Sequence, residues 1–242
     1  RQPNFLMTIQ TQYRTEAVEI MDDFSLEGEE LREALDKIAS INQLLGGNKL
    51  TLHGIEQLLK KTDVTKKITI VDVGCGNGDM LRMLENYAKK NNFKFELIGV
   101  DANAFTIEHA KLLSNKYSSI SYRCEDIFSK AFTEVKYDIL LCTLTLHHFK
   151  NEQIESILNV FQKQTKLGIV INDLHRSKLA YRLFQLVCWA FQLNRMSRED
   201  GLTSILRGFK KKELVDFSKN IQAKKQSIIW KWAFRYQWII WK

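Results

Sequence analysis

The chain has 242 residues, 45% of them hydrophobic and 26% charged, enough apolar material to bury a full core, and this composition excludes an intrinsically disordered chain. Thirty-six basic against 28 acidic residues leave a net charge of +8, but the lysines fall in short groups such as Lys60-Lys61 and Lys210-Lys211-Lys212, the pattern of solvated faces. Cys75, Cys124, Cys142 and Cys188 stand far apart with no CxxC pair, so neither a zinc site nor a disulfide framework is expected, and a reducing cytoplasm is.

Residues 1–65 carry apolar side chains at spacings of three and four: Val18, Met21 and Phe24, then Leu31, Leu35, Ile38, Ile41 and Leu45. This periodicity predicts an N-terminal helical cap. Gly46-Gly47-Asn48 ends one helix with residues that tolerate positive φ, and Thr51 opens the next. From residue 66 onward short β-branched runs alternate with amphipathic stretches. Strands are predicted over 68–73, 95–100, 120–124, 137–142 and 167–172, and helices near 80–90, 104–116, 152–165, 178–193 and 211–219. Residues 224–242, dense in Ile, Trp, Phe and Tyr, predict a closing antiparallel pair with its turn near 231–233. The alternation specifies an α/β fold: a doubly wound, seven-stranded, mostly parallel sheet over 66–242, with a helical lid insert at about 176–210.

The densest chemistry follows the first strand, in Val71-Asp72-Val73-Gly74-Cys75-Gly76-Asn77-Gly78-Asp79. Alternate glycines let the backbone turn sharply and approach a ligand where a Cβ would intrude. The second strand ends at Asp101, 23 residues beyond Gly78, where dinucleotide-binding folds place the acid that takes a ribose diol. The third ends in Cys124-Glu125-Asp126-Ile127, a carboxylate beside an apolar residue. All three lie at the carboxyl ends of parallel strands, where open α/β sheets bind ligands. The dinucleotide fingerprint G-x-G-x-x-G requires glycine at position 79, where Asp79 stands, and no Gly-Lys-Ser/Thr follows the loop to make a phosphate-binding Walker sequence.

Together with Leu146-His147-His148-Phe149, these residues resemble the class I S-adenosylmethionine-dependent methyltransferases over roughly residues 68–178. The resemblance implies S-adenosylmethionine as cofactor and S-adenosylhomocysteine as product. It implies that Gly74, Gly76 and Gly78 pack against the methionine part, that Asp101 binds the ribose hydroxyls, that Asp126 and Ile127 contact adenine, and that Thr143 lines the cofactor near its sulfonium, with Asp72, Cys75 and Ala102 completing the expected cofactor-binding set. Leu146-His147-His148-Phe149 is similar to small-molecule enzymes of this family, including those of quinone biosynthesis.

Methyl transfer to an oxygen needs a base close to the methyl group. His147 and His148 after the fourth strand, and Asp173 and His175 after the fifth, are the candidates, imidazole being the side chain that titrates near neutrality. No metal is required. Arg198-Glu199-Asp200-Gly201 and Arg207-Gly208-Phe209 read as turns with surface charge or as lining of a substrate entrance. The apolar stretch 179–193 is too short to span a bilayer. It reads as packing under the cap, as a greasy lid, or as peripheral membrane contact. No Pro-Pro-Tyr/Phe follows the fourth strand and the chain's one proline is Pro3, which argues against amino-directed and cytosine-directed nucleic-acid methyltransferases. The expected partner is a hydrophobic, aromatic or phenolic small molecule. An RNA methyltransferase, a nicotinamide-dependent oxidoreductase and a non-catalytic cofactor-binding module are the alternatives.

Overall fold

The computed structural model describes residues 9–60, 62–63 and 65–242. Five strands, β1 (Lys67–Val73), β2 (Lys94–Asp101), β3 (Ile120–Cys124), β4 (Tyr137–Thr143) and β5 (Thr165–Leu174), run parallel. Two more, β6 (Lys225–Lys231) and β7 (Arg235–Trp241), close the sheet antiparallel, in the order β3-β2-β1-β4-β5-β7-β6. The central strands are nearly continuous runs of Ile, Val and Leu because both faces are covered. Chain progression reverses between β1 and β4, and that reversal opens a crevice above their carboxyl ends.

The helices are α1 (Glu29–Leu44), α2 (Gly47–Leu59), α3 (Asp79–Asn91), α4 (Ala104–Leu113), α5 (Lys130–Thr133), α6 (Asn151–Gln164), α7 (Lys178–Ala190), α8 (Arg195–Arg207) and α9 (Lys211–Ser218). One apolar layer centres on Phe132, Phe161, Phe209 and Trp238, and the opposite one on Ile55, Ile70, Leu81 and Leu97. α2 belongs to the second layer: a Cβ on Gly54 would stand 2.5 Å from Val170 of β5, so the helix backbone lies directly on the sheet.

Four local expectations change. α2 starts at Gly47 rather than Thr51, because Gly46 alone makes the left-handed turn (φ 77°) and Gly47 already lies against the Asn42 side chain. Val18 to Phe24 is no helix but an extended strap with one 3₁₀ turn at Ile20–Asp22, and Val18 and Phe24 are exposed. Its backbone is held from outside: Ile20 and Met21 N–H donate to the Asp200 carboxylate at 2.6 and 2.9 Å. Asp200 in turn lies on α8, where the sequence showed only polar clusters; Met196 and Ile205 are the sole large apolar side chains α8 buries, too few to set a period. The hairpin turn is Trp232 to Phe234, with Ala233 and Phe234 left-handed at φ 62° and 55° without any glycine.

Candidate active site

The glycine loop is anchored by Gly74 and Cys75 N–H donating to the Val100 carbonyl at 2.8 and 3.1 Å, which ties the end of β1 to β2. The three glycines serve different ends. A Cβ on Gly78 would lie 2.0 Å from Tyr122 Oη and one on Gly74 2.3 Å from Thr145 Oγ1, so both positions are closed by packing. A Cβ on Gly76 would meet only Leu35, at 3.9 Å, leaving its backbone open to the crevice.

That crevice holds a cavity of about 740 Å³, within the small-molecule range. Of the expected cofactor residues, Asp72, Gly74, Cys75, Gly76, Asp101, Ala102, Asp126, Ile127 and Thr143 line it, and Gly78 does not. Asp101 accepts from Gly76 N–H at 3.2 Å and from Asn103 N–H at 3.1 Å, while burial raises its pKa. Asp72 is buried, and its Oδ1 has no hydrogen-bond partner among the described residues. Burial, with Asp79 and Asp101 nearby, holds the Asp72 carboxyl well above the usual range. A cationic ligand group would satisfy that orphaned oxygen and relieve the shift. The donor set therefore fits a ligand with an ammonium group and a ribose diol.

The four candidate bases separate. Only His148 lines the cavity. His147 is buried, with Nδ1 2.7 Å from Asp173 Oδ1 and its backbone N–H donating to Asp173 Oδ2 at 3.1 Å, so this pair fixes the loop after β4 from beneath. Against the cost of burial, the His147 charge and hydrogen bonds hold Asp173 below its ordinary value. His175 lies at the hairpin, accepting from Trp230 Nε1 at 3.2 Å and stacked near Phe234.

His148 Nδ1 lies 2.6 Å from Asp22 Oδ1 on the strap, and Asp22 Oδ2 meets Arg207 of α8 at 2.5 Å. Burial opposes ionisation of Asp22, but the hydrogen bonds and charges of His148 and Arg207 outweigh it and hold the carboxyl far below its ordinary value. An ionised Asp22 only accepts, so His148 presents a proton on Nδ1, and Nε2 is the acceptor whenever the imidazole is neutral. Beneath them Glu19 is pushed up to about 7 by burial, with Oε2 accepting from Ser204 Oγ at 2.7 Å. Glu19, His147 and His148 each bring one ligand atom within 4.8 Å of the others, and Arg207 Nη1 already stands 3.5 Å from Glu19 Oε1 as the local cation. Asp22 and Glu19 went unseen in the sequence because they belong to no motif and reach the site only when the strap folds over α8. Arg207, named above as a candidate entrance residue, does line the cavity; Arg198, Glu199 and Gly201 do not.

Residues 70–168, from β1 to β5, match the family model described as a methyltransferase domain. This match, with the fold, supports a class I S-adenosylmethionine-dependent methyltransferase domain over those residues. The chain is 28% identical over 134 residues to a ubiquinone biosynthesis O-methyltransferase of Rickettsia typhi, covering 55% of this chain and 51% of that one. It is 26% identical over 155 residues to a methyltransferase of Invertebrate iridescent virus 6, covering 62% and 56%. The chain thus spans about half the length of the curated relatives it matches. Among solved structures, the plantazolicin methyltransferase BamL, in complex with a triazolic desmethylPZN analog and SAH, superposes with a TM-score of 0.64 at 16% identity, over 86% of this chain and 89% of that one. Magnesium protoporphyrin IX methyltransferase from Synechocystis PCC 6803, with bound SAH, gives 0.53 at 14% identity over 81% and 82%. At such identities the likeness establishes the fold.

Proposed function

We propose that this methyltransferase domain binds S-adenosylmethionine and transfers its methyl group to an oxygen or carbon of a hydrophobic, aromatic or phenolic small molecule, releasing S-adenosylhomocysteine. One observation carries the reading: a single cavity is lined by Gly76, Asp72 and Asp101 and also by His148 and apolar side chains. Asp72 and the glycine loop would hold the methionine part, Asp101 the ribose diol, Asp126 and Ile127 the adenine, and Thr143 the region of the sulfonium. The cofactor, when bound, supplies an electrophilic methyl group.

The chain's own residues align, exclude water and move a proton. Phe24, Leu31, Leu35, Ile38, Phe128 and Phe149 give the cavity an apolar wall that suits a ring and keeps water out. His148 takes the acceptor hydroxyl proton on Nε2, and the Asp22 carboxylate at 2.6 Å stabilises the resulting imidazolium. Even with Asp72 set aside, the carboxyl groups lining the cavity, among them Glu16, Asp22, Asp126 and Glu152, outnumber the cations Arg14, Lys150 and Arg207, which supports a small neutral acceptor over an anionic polymer. The names of the ubiquinone and magnesium protoporphyrin IX enzymes support a hydrophobic ring-bearing acceptor. Four free thiols fit a reducing cytoplasm.

The test is incubation with S-adenosylmethionine and a panel of catechols, phenols and reduced quinones, read by mass spectrometry of the methylated product. Methylation of a ring-bearing acceptor is expected; methylation of RNA alone, or of no acceptor, would overturn the reading.

A further inference from the structure

The segment between β5 and the closing hairpin contains a surface that methyl transfer does not use. Residues 174–198 include Arg176, Lys178, Arg182, Arg195 and Arg198 and not one aspartate or glutamate. Arg176 is buried and paired with Glu213, and Arg195 pairs with Glu199, which leaves Lys178 and Arg182 on α7 without an ion pair among the described residues. The inner face of α7 buries Ala180 and Cys188, and Phe184 packs on Gly201 of α8. Its outer face presents Leu179, Leu183, Leu186 and Trp189, 58%, 43%, 63% and 83% exposed, at helical spacing. No α7 residue lines the cavity, and α7 packs chiefly on α8.

A helix that is apolar on both faces is either buried or immersed in something apolar. At 13 residues α7 is too short to cross a bilayer, and no helix among the described residues is long and apolar enough to do so. An apolar stripe flanked by unpaired cations matches a helix lying in the plane of an anionic membrane surface. A second copy of the same face offers no counter-charge, since α7 carries no acid. Glu33 of α1 meets Asn194 beyond the C-terminal end of α7 and Glu213 pairs with Arg176 before its N-terminal end, so along α7 itself the charges are the cations Lys178 and Arg182.

We infer that α7 docks on a bilayer containing anionic lipid, with Leu179, Leu183, Leu186 and Trp189 among the acyl chains and Lys178 and Arg182 at the phosphates. α8 packs between α7 and the strap that walls the cavity, so an acceptor dissolved in the bilayer would arrive one helix layer from the site. The inference is read without turnover and stands apart from the methyl-transfer reading.

The experiment is co-sedimentation of the full chain with phosphatidylcholine vesicles, with and without phosphatidylglycerol. Binding to the phosphatidylglycerol vesicles is expected, weakening as salt rises. Leu186→Ser with Trp189→Ser should lower affinity by about a hundredfold, roughly tenfold for each large side chain withdrawn from the lipid. Lys178→Glu with Arg182→Glu should lower affinity for the anionic vesicles and leave the weaker binding to phosphatidylcholine unchanged. These side chains are exposed, and circular dichroism melting confirms that the variants fold. Absence of binding to anionic vesicles, or binding that all four substitutions leave intact, overturns the inference. So does a dimer that the Leu186 and Trp189 substitutions dissolve without changing vesicle affinity.

Discussion

Glu19→Gln tests the strap by its dependence on pH. Glu19 is almost fully buried, faces His147, His148, Asp22 and Arg207, and titrates at about 7 in the folded chain instead of 4.5. Burial is the main cause, and the nearby cations offset only part of it. For an acid raised on folding, the native state holds the proton while the unfolded chain releases it. The stabilisation is therefore complete below pH 4.5 and is lost as pH rises to about 7. A rise from 4.5 to about 7 corresponds to about 3 kcal/mol. Glutamine keeps an acceptor for Ser204 and has no charge to desolvate. Urea denaturation of both proteins between pH 4 and 8, or thermal melting at roughly 2–4 °C per kcal/mol, gives the difference curve. The variant should gain about 3 kcal/mol on the wild type as pH rises from about 4 to 8. A difference that stays flat with pH would refute the argument, because groups shared by the two proteins cancel.

Asp101→Ala should weaken S-adenosylmethionine binding about ten- to a hundredfold, the value of a charge-assisted hydrogen-bond pair, with an unchanged dichroism spectrum; unchanged affinity removes the ribose assignment. His148→Ala should lower turnover about 10²–10⁴-fold without comparable loss of cofactor affinity, and full activity would dismiss it as the base. Gly78→Ala adds a Cβ 2.0 Å from Tyr122 Oη at a φ of 78°, so it should destabilise the chain by about 1–3 kcal/mol. Tyr122→Phe in the same background should recover part of that loss; a purely additive double mutant would mean the contact is not the cause.

The sheet was legible because its strands obey local rules. Ile68 to Val73 and Tyr137 to Cys142 are β-branched or leucine-rich runs buried on both faces, and Asp101 and Glu125-Asp126 mark the ends of β2 and β3. The glycine loop, Asp101 and Asp126 line one cavity because topology fixes where parallel strands end. The strap and α8 were not legible. Val18, Met21 and Phe24 imitate a helical period by spacing alone, while the segment is held by Asp200, 180 residues beyond Ile20. Of the paired histidines, only the fold distinguishes His147, which meets Asp173 underneath, from His148, which meets Asp22 at the cavity.

The most direct measurement is calorimetric titration of the purified chain with S-adenosylmethionine and S-adenosylhomocysteine, with NADH and NAD as controls. Micromolar binding of the first pair alone is the result that a glycine loop, an orphaned Asp72 and Asp101 around one cavity require. Binding of the nicotinamides, or of none of the four, would contradict the assignment of that cavity.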